Sequence, residues 1–580
     1  MLAVFPVRST KGIVAPMILP RPSHPRWLYV VVIALLLPAL ACQRTSQTST
    51  PNRKPPPRPQ ASNSEQSPRA FSSNDTLLGR GCGLKLGWLE RIWRGYVPGR
   101  SEDISIVPNL PNFAGGFYSV NHSGPFEYLQ QVPLVLYGPG RIKASGRVHR
   151  PVTIADVYPT VGRSSNVRLP SRDGSILEEA LVEVAGNTPR LVVTVVWDGV
   201  GRNVLERWPE HWPTLRRLER EGTFYLNATV GSSPSITPST HATLGTGAFP
   251  RKHKVPGIFL RKHNTVVEAF EETSPADLKL STYGDDVDAA LGNRPKVGML
   301  GWSNWHLGMM GHGAGIDGGD RDHVGMVLLD GNVGGNALYY STPSYLYGYP
   351  GFSEHAASSD REDGRADGLW MGHEILPQTY APAWVHYETD LAEALLRRER
   401  YGRDAVVDLF FINYKMTDYA GHEYFMDSPE MGSVLAAQDQ ALAELLRFLE
   451  REVKDYVLIL TADHGHVPRP SRSTGWPVQQ GPLEDDINAE FNVPAGESLV
   501  DEMTAVGIFV NRELMRSLDT TQVAISEYLN GYRIRSNWEK PSLPARFEGR
   551  GKENMFAAAF PNSRLPGILA CKFGSQSPPE

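Results

Sequence analysis

Four apolar, β-branched segments, each followed by polar residues, constrain the fold of this chain most strongly. They are VPLVLY (132–137), LVVTVVW (191–197), AVVDLFFIN (405–413) and DYVLILTA (455–462). Continuous apolar runs of this length are typical of strands that are buried on both faces of a largely parallel sheet. Helical patterns lie between them, for example at 213–222 and 433–454. The alternation predicts an α/β fold, an αβα sandwich whose functional groups gather at the carboxyl ends of the strands.

The composition excludes several classes of protein. The 580 residues include 58 Lys and Arg against 63 Asp and Glu, a net charge of -5, which argues against a nucleic-acid-binding surface. Three cysteines exclude a disulfide-dense scaffold and a cysteine-based zinc ribbon. Cys82 and Cys571 could form one disulfide after export, but nothing in the sequence places them together.

Residues 1–41 have the pattern of a signal peptide. The charge-free run 27–41 follows two arginines and is shorter than the roughly 20 residues of a transmembrane helix. It ends in Ala-Leu-Ala-Cys, which resembles a bacterial lipobox and predicts a lipid anchor on Cys42 at the outer face of a bacterial membrane. A plain cleaved signal peptide and an uncleaved anchor are the alternatives.

The rest of the chain divides by composition into four predicted parts. Residues 42–76 are rich in Pro and Ser and almost free of apolar side chains, which predicts a disordered tether. The apolar segments place a catalytic αβα domain at 77–479. Strand and helix patterns within 480–560 predict a small α/β cap insertion, and 561–580 is a C-terminal tail.

Carboxylates and histidines follow three of the apolar segments. Asp198 follows the second segment, and Asp418 and His422 follow the third, four residues apart and therefore on one side of a helical turn. The adjacent pair Asp463 and His464 follows the fourth. Aspartate oxygens and imidazole nitrogens are ordinary zinc ligands, so the three strand ends together predict a metal centre.

The hydroxyl-rich segment 231–253 offers a nucleophile, although a Ser/Thr-rich turn with local backbone hydrogen bonds is the alternative. In chain order, VVWDGVG, PSITPSTHATLGTG, TDYAGH and TADHGH resemble the alkaline phosphatase superfamily, and within it the type I phosphodiesterase/nucleotide pyrophosphatase branch. The resemblance implies an alkaline phosphatase-like αβα sandwich. It also implies that Thr237, at the fourth position of the pattern P-x-x-T-x-x-N-H-x-T-x-x-T-G, is the nucleophile. The Asn position of that pattern, which the family uses to contact phosphate, is Thr240 here.

The same resemblance implies two zinc ions, with Mn²⁺ as the substitute. The residues that would surround the first zinc are Asp198, Thr237, Asp463 and His464. The second zinc would be held by Asp418 and His422. The family pattern needs one more histidine on this second zinc, normally downstream, and no histidine follows His466.

An upstream histidine stands in a context similar to the family's closing segment. His122 is followed by a VPL strand, by Gly-Pro-Gly (138–140) and by a D-x-x-P-T turn (156–160), in the order that the superfamily places after its last ligand. We therefore expect a circular permutation that moved the closing segment, residues 77–185, to the front and made His122 the third ligand. The alternative is that His122 only forms hydrogen bonds in a loop.

Other polar groups have two interpretations. The histidines of the glycine-rich loop 302–323 could form a further metal site or belong to a substrate lid, although such loops are more often solvated. His466 is expected beside the metal centre rather than on a metal. Lys415 either reaches a phosphate or lies on the surface, which is the usual place for a lysine.

Taken together, these features predict an exported, zinc-dependent phosphoric-ester hydrolase of the phosphodiesterase/nucleotide pyrophosphatase type. It would act on a small phosphoester or nucleotide through a phosphothreonine intermediate. A phosphomonoesterase or phosphonate hydrolase on the same scaffold is one alternative. An alternative of another class is a noncatalytic surface lipoprotein that binds a metal or a ligand.

Overall fold

The computed structural model describes residues 76–117, 121–182, 188–327, 332–375 and 380–574. The predicted signal peptide, Cys42 and almost all of the tether lie outside the described residues. Within these ranges, no helix combines the length and the apolar character needed to cross a membrane.

Strands and helices alternate along most of the described chain. The strands are β1 (Ile104–Pro108), β2 (Phe113–Ala114), β3 (Leu134–Tyr137), β4 (Gly146–Thr153), β5 (Leu191–Trp197), β6 (Thr223–Thr229), β7 (Phe259–Lys262), β8 (Thr265–Glu268), β9 (Val297–Gly301), β10 (His323–Val327), β11 (Val333–Gly334), β12 (Leu369–Trp370), β13 (His373–Glu374), β14 (Asp408–Tyr414), β15 (Tyr456–Thr461), β16 (Pro477–Val478), β17 (Val500–Met503), β18 (Gly507–Val510) and β19 (Phe556–Pro561). The α-helices are α1 (Thr76–Gly83), α2 (Leu86–Gly95), α3 (Glu127–Gln130), α4 (Val157–Ser164), α5 (Arg202–Arg207), α6 (Pro213–Glu221), α7 (Thr237–Thr246), α8 (Pro250–His253), α9 (Tyr283–Ala290), α10 (Leu307–Met310), α11 (Phe352–Asp360), α12 (Pro382–Arg398), α13 (Met416–Tyr424), α14 (Pro429–Phe448), α15 (Gln480–Glu490), α16 (Arg512–Ser517), α17 (Gln522–Gly531) and α18 (Leu565–Phe573).

All four apolar segments lie in a nine-stranded sheet of order β11-β10-β9-β14-β5-β15-β3-β6-β4. Every residue of β5, β14 and β15 is buried, which explains why their sequences are apolar without alternation. Helices pack on the sheet in two groups, one of α6, α12 and α14 and the other of α4, α7, α9 and α10. The predicted α/β fold with a largely parallel sheet is confirmed.

Strand β3 runs against its neighbours. It pairs antiparallel with both β15 and β6, whereas β15, β5, β14, β9 and β10 pair parallel. Leu134, at the start of β3, lies opposite Thr461, at the end of β15. The residues that precede β3 therefore lie at the edge of the sheet where the parallel strands end.

A second sheet has the order β17-β18-β1-β19. The predicted cap, 480–560, contains β17 and β18, but β1 comes from near residue 104 and β19 extends to Pro561. Residues after 561, predicted to be a tail, continue into α18, where Leu565 and Ile568 are buried. This second sheet thus draws strands from both ends of the described chain, and a disulfide between Cys82 and Cys571 joins α1 to α18.

Candidate active site

The candidate site lies at the carboxyl edge of the large sheet. Trp197 at the end of β5 pairs with Tyr414 at the end of β14, and Val196 pairs with Thr461 at the end of β15. The three strands therefore end at one level, and the polar residues that follow them meet there. Strand β6 runs in the same direction and leads, through a loop, to Thr237 at the start of α7.

Asp198, Asp463 and His464 form the first group of metal-ligating side chains, which we call group 1. His464 Nε2 lies 3.5 Å from Asp198 Oδ1 and 3.3 Å from Asp463 Oδ2. All three residues are buried, and none of these three atoms has a hydrogen-bond partner among the described residues. Buried polar atoms normally have hydrogen-bond partners. Two oxygens and one nitrogen that lack such partners and face one another are suited to bind a metal ion.

The charges of group 1 lead to the same conclusion. Burial, together with the neighbouring Asp198 carboxylate, raises the pKa of Asp463. Burial opposes protonation of His464, but the carboxylates of Asp463 and Asp198 raise its pKa above the usual value. Two carboxylates held this close together out of water repel each other, and a divalent cation between them would relieve the repulsion.

His122, Asp418, His422 and His466 form a second group, group 2, centred on one carboxylate oxygen. Asp418 Oδ1 lies 3.2 Å from His122 Nε2, 3.5 Å from His422 Nε2 and 3.1 Å from His466 Nε2. His122 Nε2 also lies 3.2 Å from His422 Nε2. The structure thus brings together the three side chains predicted for the second zinc, although their role as ligands stays a prediction. His466, expected beside the centre, contacts Asp418 directly.

Lys415 connects the two groups and the predicted nucleophile. Its Nζ lies 3.0 Å from Asp198 Oδ2, 2.7 Å from Asp418 Oδ2 and 3.2 Å from Thr237 Oγ1. Burial opposes the charge of this lysine, but Asp198 and Asp418 raise its pKa, so it is protonated. The interpretation of Lys415 as a surface residue is therefore wrong: only 1% of it is exposed.

Thr237 is the first residue of α7 and is 2% exposed. Thr240 lies in the next turn of α7, where it is buried and lines a small space together with Leu244 and with Asp463 of group 1. Its hydroxyl oxygen has no hydrogen-bond partner among the described residues. A phosphate contact by Thr240 stays a prediction.

The neighbours of Asp198 Oδ2, the second carboxylate oxygen, were not predicted from the sequence. His306 Nε2 lies 3.3 Å from Asp198 Oδ2, and Asn413 Nδ2 donates to the same oxygen at 3.2 Å. Asn413 also contacts Nε2 of the buried His241 at 2.9 Å. The only sequence signal for His306 is its position shortly after β9, a strand that is short and contains two glycines.

The other histidines of the loop 302–323 lie elsewhere. His312 Nδ1 contacts Asp285 Oδ2 at 2.8 Å, and His323 Nδ1 contacts the hydroxyl of Tyr401 at 2.9 Å. The loop therefore contributes one histidine, His306, to the candidate site, while the other two pair with different elements.

Comparison with known proteins identifies the family. The model of the type I phosphodiesterase / nucleotide pyrophosphatase family matches residues 192–566. The chain belongs to this family. The match begins in β5, so His122 precedes it. The membership confirms the family predicted from the motifs.

Several alkaline phosphatases are similar to this member of the family. PhoK of a Sphingomonas species is 22% identical over 337 residues, which are 51% of this chain and 59% of PhoK. PhoD of Zymomonas mobilis is 34% identical over 92 residues, 16% of each chain. The crystal structure of alkaline phosphatase PafA has 15% identity and a TM-score of 0.46, covering 65% of this chain and 85% of PafA. The chain thus spans about three fifths of the length of PhoK and less of PhoD.

Proposed function

We propose that this protein is a zinc-dependent phosphodiesterase of the nucleotide pyrophosphatase type, with Thr237 as its nucleophile. The observation on which the proposal rests is the position of Thr237 Oγ1, 3.2 Å from the ammonium group of Lys415, which itself contacts one carboxylate of each metal-ligating group. A threonine hydroxyl is a poor nucleophile unless neighbouring groups activate it. The buried ammonium group of Lys415 beside Thr237 Oγ1 supports such activation.

The two groups would each hold one metal ion. Asp198, Asp463 and His464 would do so with Thr237, and Asp418 and His422 with His122. Carboxylate oxygens and imidazole nitrogens suit Zn²⁺, with Mn²⁺ as the next choice. When bound, such ions supply positive charge that stabilises phosphoryl oxygens and lowers the pKa of an oxygen nucleophile.

The chain itself orients the nucleophile and its charge. Thr237 begins α7, a helix of ten residues, and unpaired backbone N–H groups at a helix start attract a phosphate. Lys415 can donate a hydrogen bond to Thr237 Oγ1 and stabilise negative charge that develops there. Thr237 Oγ1 would bond to phosphorus as the leaving oxygen of the ester departs. Attack of water on phosphorus would then release the remaining phosphomonoester from Thr237 and restore the hydroxyl group.

A phosphomonoesterase is the second candidate, because the similar proteins PhoK and PhoD are alkaline phosphatases. Turnover of bis(p-nitrophenyl) phosphate and of p-nitrophenyl phosphate by the zinc-loaded protein separates the two. We expect a higher kcat/KM for the diester. The reverse order would assign a monoesterase, and no turnover of either ester would favour a noncatalytic binding protein.

We infer further that the protein is exported and anchored by a lipid on Cys42. The disulfide between Cys82 and Cys571 supports export, because such bonds persist in oxidising compartments. Mass spectrometry of the mature amino terminus tests the anchor. A lipidated Cys42 is expected, and Cys42→Ser should release the protein from membranes. An unmodified amino terminus elsewhere would reject the anchor and leave only export.

We infer also that the domain is circularly permuted. The observations that support this are β3 lying beside β15, and α1 lying beside α18, with 6.0 Å between the Cα atoms of Cys82 and Cys571. A rearranged chain tests it, in which residues 188–574 are followed by a short linker and residues 76–182. It should fold and bind two zinc ions, since the joined ends lie close together. Failure to fold would reject the permutation.

A further inference from the structure

Three carboxylates that lie apart from groups 1 and 2 face one another. Asp288 is on α9, and Asp320 and Asp322 lie in the glycine-rich loop that precedes β10. One carboxylate oxygen from each lies within 4.8 Å of the others. Asp288 is 5% exposed and Asp322 is 8% exposed, while Asp320 is open to solvent. The cluster is thus buried on one side and accessible from the other.

The carboxylate of Asp288 lacks a partner for one of its oxygens. Asp288 Oδ1 is buried and has no hydrogen bond among the described residues. Burial, then repulsion by Asp320 and Asp285, raises the pKa of Asp288 to about 7. Burial, then repulsion by Asp288 and by the same two neighbours, also raises the pKa of Asp322. The charges that act on these two side chains are therefore negative.

The nearby histidine does not neutralise the cluster. His312 Nδ1 pairs with Asp285 Oδ2 at 2.8 Å, so it balances the charge of Asp285. Carboxylates buried together without a cation are costly, and they either bind protons or coordinate a metal ion. The donors here are all oxygen atoms, and Asp320 gives access from solvent. Oxygen donors of this kind suit Ca²⁺ rather than Zn²⁺.

We propose that Asp288, Asp320 and Asp322 bind one Ca²⁺ ion. The ion would fasten the loop 311–322 to α9, an attachment that the hydrogen bond from His312 N to Asp285 Oδ1 of α9 already supports at 2.7 Å. Helix α10, which follows His306 and leads into this loop, packs on α7. Ca²⁺ at this position therefore stabilises the segment that brings His306 to Asp198. The proposal does not depend on which reaction the candidate active site performs.

Calcium binding by the full-length, zinc-loaded protein tests the proposal. Equilibrium dialysis against ⁴⁵Ca²⁺ should give one bound ion per chain, and Tm should rise with Ca²⁺ concentration. Asp288→Asn and Asp322→Asn should each weaken Ca²⁺ binding by about 10- to 100-fold or more, since even residues that support a ligand have effects of this size. The matched control is Asp317→Asn, an exposed residue of the same loop outside the cluster, which should bind Ca²⁺ like the wild type.

A comparison of Tm with and without Ca²⁺ separates loss of a site from a folding defect. Without Ca²⁺, Asp288→Asn removes a source of repulsion, so its Tm should equal or exceed that of the wild type. With saturating Ca²⁺, the wild type should be the more stable protein, and zinc content should be two per chain in both. Absence of bound Ca²⁺ in the wild type, or undiminished binding by both Asn variants, would overturn the proposal. An equal rise of Tm with Mg²⁺ would overturn the assignment to Ca²⁺.

Discussion

Replacing His122 with Ala tests the ligand set of group 2. His122 Nε2 lies 3.2 Å from Asp418 Oδ1 and 3.2 Å from His422 Nε2, and 3% of the residue is exposed. Burial, together with the neighbouring His464, holds the pKa of His122 well below its usual value. Its imidazole is therefore neutral near pH 7, and a nitrogen lone pair is available to a metal without loss of a proton.

The size of the effect follows from the number of ligands. Without His122, the predicted second site retains Asp418 and His422, whereas a catalytic zinc normally has three protein ligands. Loss of a residue that supports a ligand costs about 10- to 100-fold in metal affinity. Loss of the ligand itself should cost at least the upper value, about 2.7 kcal/mol. Zinc content should fall from two toward one per chain, and most of the activity should disappear at limiting zinc.

Elemental analysis of the purified variant measures zinc content, and turnover of a chromogenic diester across a zinc titration measures the affinity of the weakened site. Excess zinc should restore part of the activity of His122→Ala. The control is His149→Ala, an exposed histidine from the same upstream part of the chain, which should retain two zinc ions. If His122→Ala kept two zinc ions and a normal titration midpoint, or if His306→Ala lost the second zinc instead, the ligand set would be wrong.

Three further changes test other parts of the site and the fold. Thr237→Ala should abolish the phosphoenzyme in acid-quenched labelling and lower turnover by several orders of magnitude, whereas Ser235→Ala, whose hydroxyl donates to Gly124 O, should change it little. Lys415→Met should lower kcat by about 100- to 1000-fold with two zinc ions retained, and loss of zinc instead would indicate a structural role. Burial lowers the pKa of His253 to about 3, so the folded protein binds fewer protons than the unfolded chain between pH 6.5 and about 3. Its unfolding free energy should therefore fall as pH drops below 6.5, and His253→Gln should reduce that slope, measured with denaturant at pH 4 to 7, by up to one proton.

The central strands could be predicted because burial on both faces leaves a local signature. The run 191–197 coincides with β5, and 455–462 contains β15. The run 405–413 starts earlier than β14, which begins at Asp408. That aspartate is buried and accepts backbone hydrogen bonds from Lys296 and Gly402, both at 2.7 Å. Lys296 is distant in sequence and Gly402 lies in a turn. The apolar pattern therefore could not locate the start of the strand.

Lys415 and His306 could not be placed from the sequence, because both contact Asp198, which follows a different strand. A lysine is rarely buried unless it is paired. Asp418 is three residues from Lys415 along the chain, but Asp198 meets Lys415 only in the assembled sheet. His306 approaches Asp198 because β9 lies next to β14, which lies next to β5. Spacing along the chain contains no record of this order. The carboxylates and histidines at the strand ends could therefore be predicted. The contacts that Lys415 and His306 make with Asp198 could not.

The direction of β3 explains how a histidine from the front of the chain reaches group 2. If β3 were parallel to β15, the residues before β3 would lie at the opposite edge of the sheet from the candidate site. A strand of four residues would place them about 13 Å from that site. Because β3 is antiparallel to β15, the preceding segment lies beside the end of β15, where the N–H group of Gly465 donates to Leu129 O at 3.1 Å. Gly465 lies between His464 and His466, and the side chain of Gln130 donates to Gly124 O at 2.9 Å and to Ser232 O at 2.8 Å. These bonds fasten α3 to the loops that precede α7 and follow β15, so the backbone, rather than a metal ion alone, determines where His122 lies.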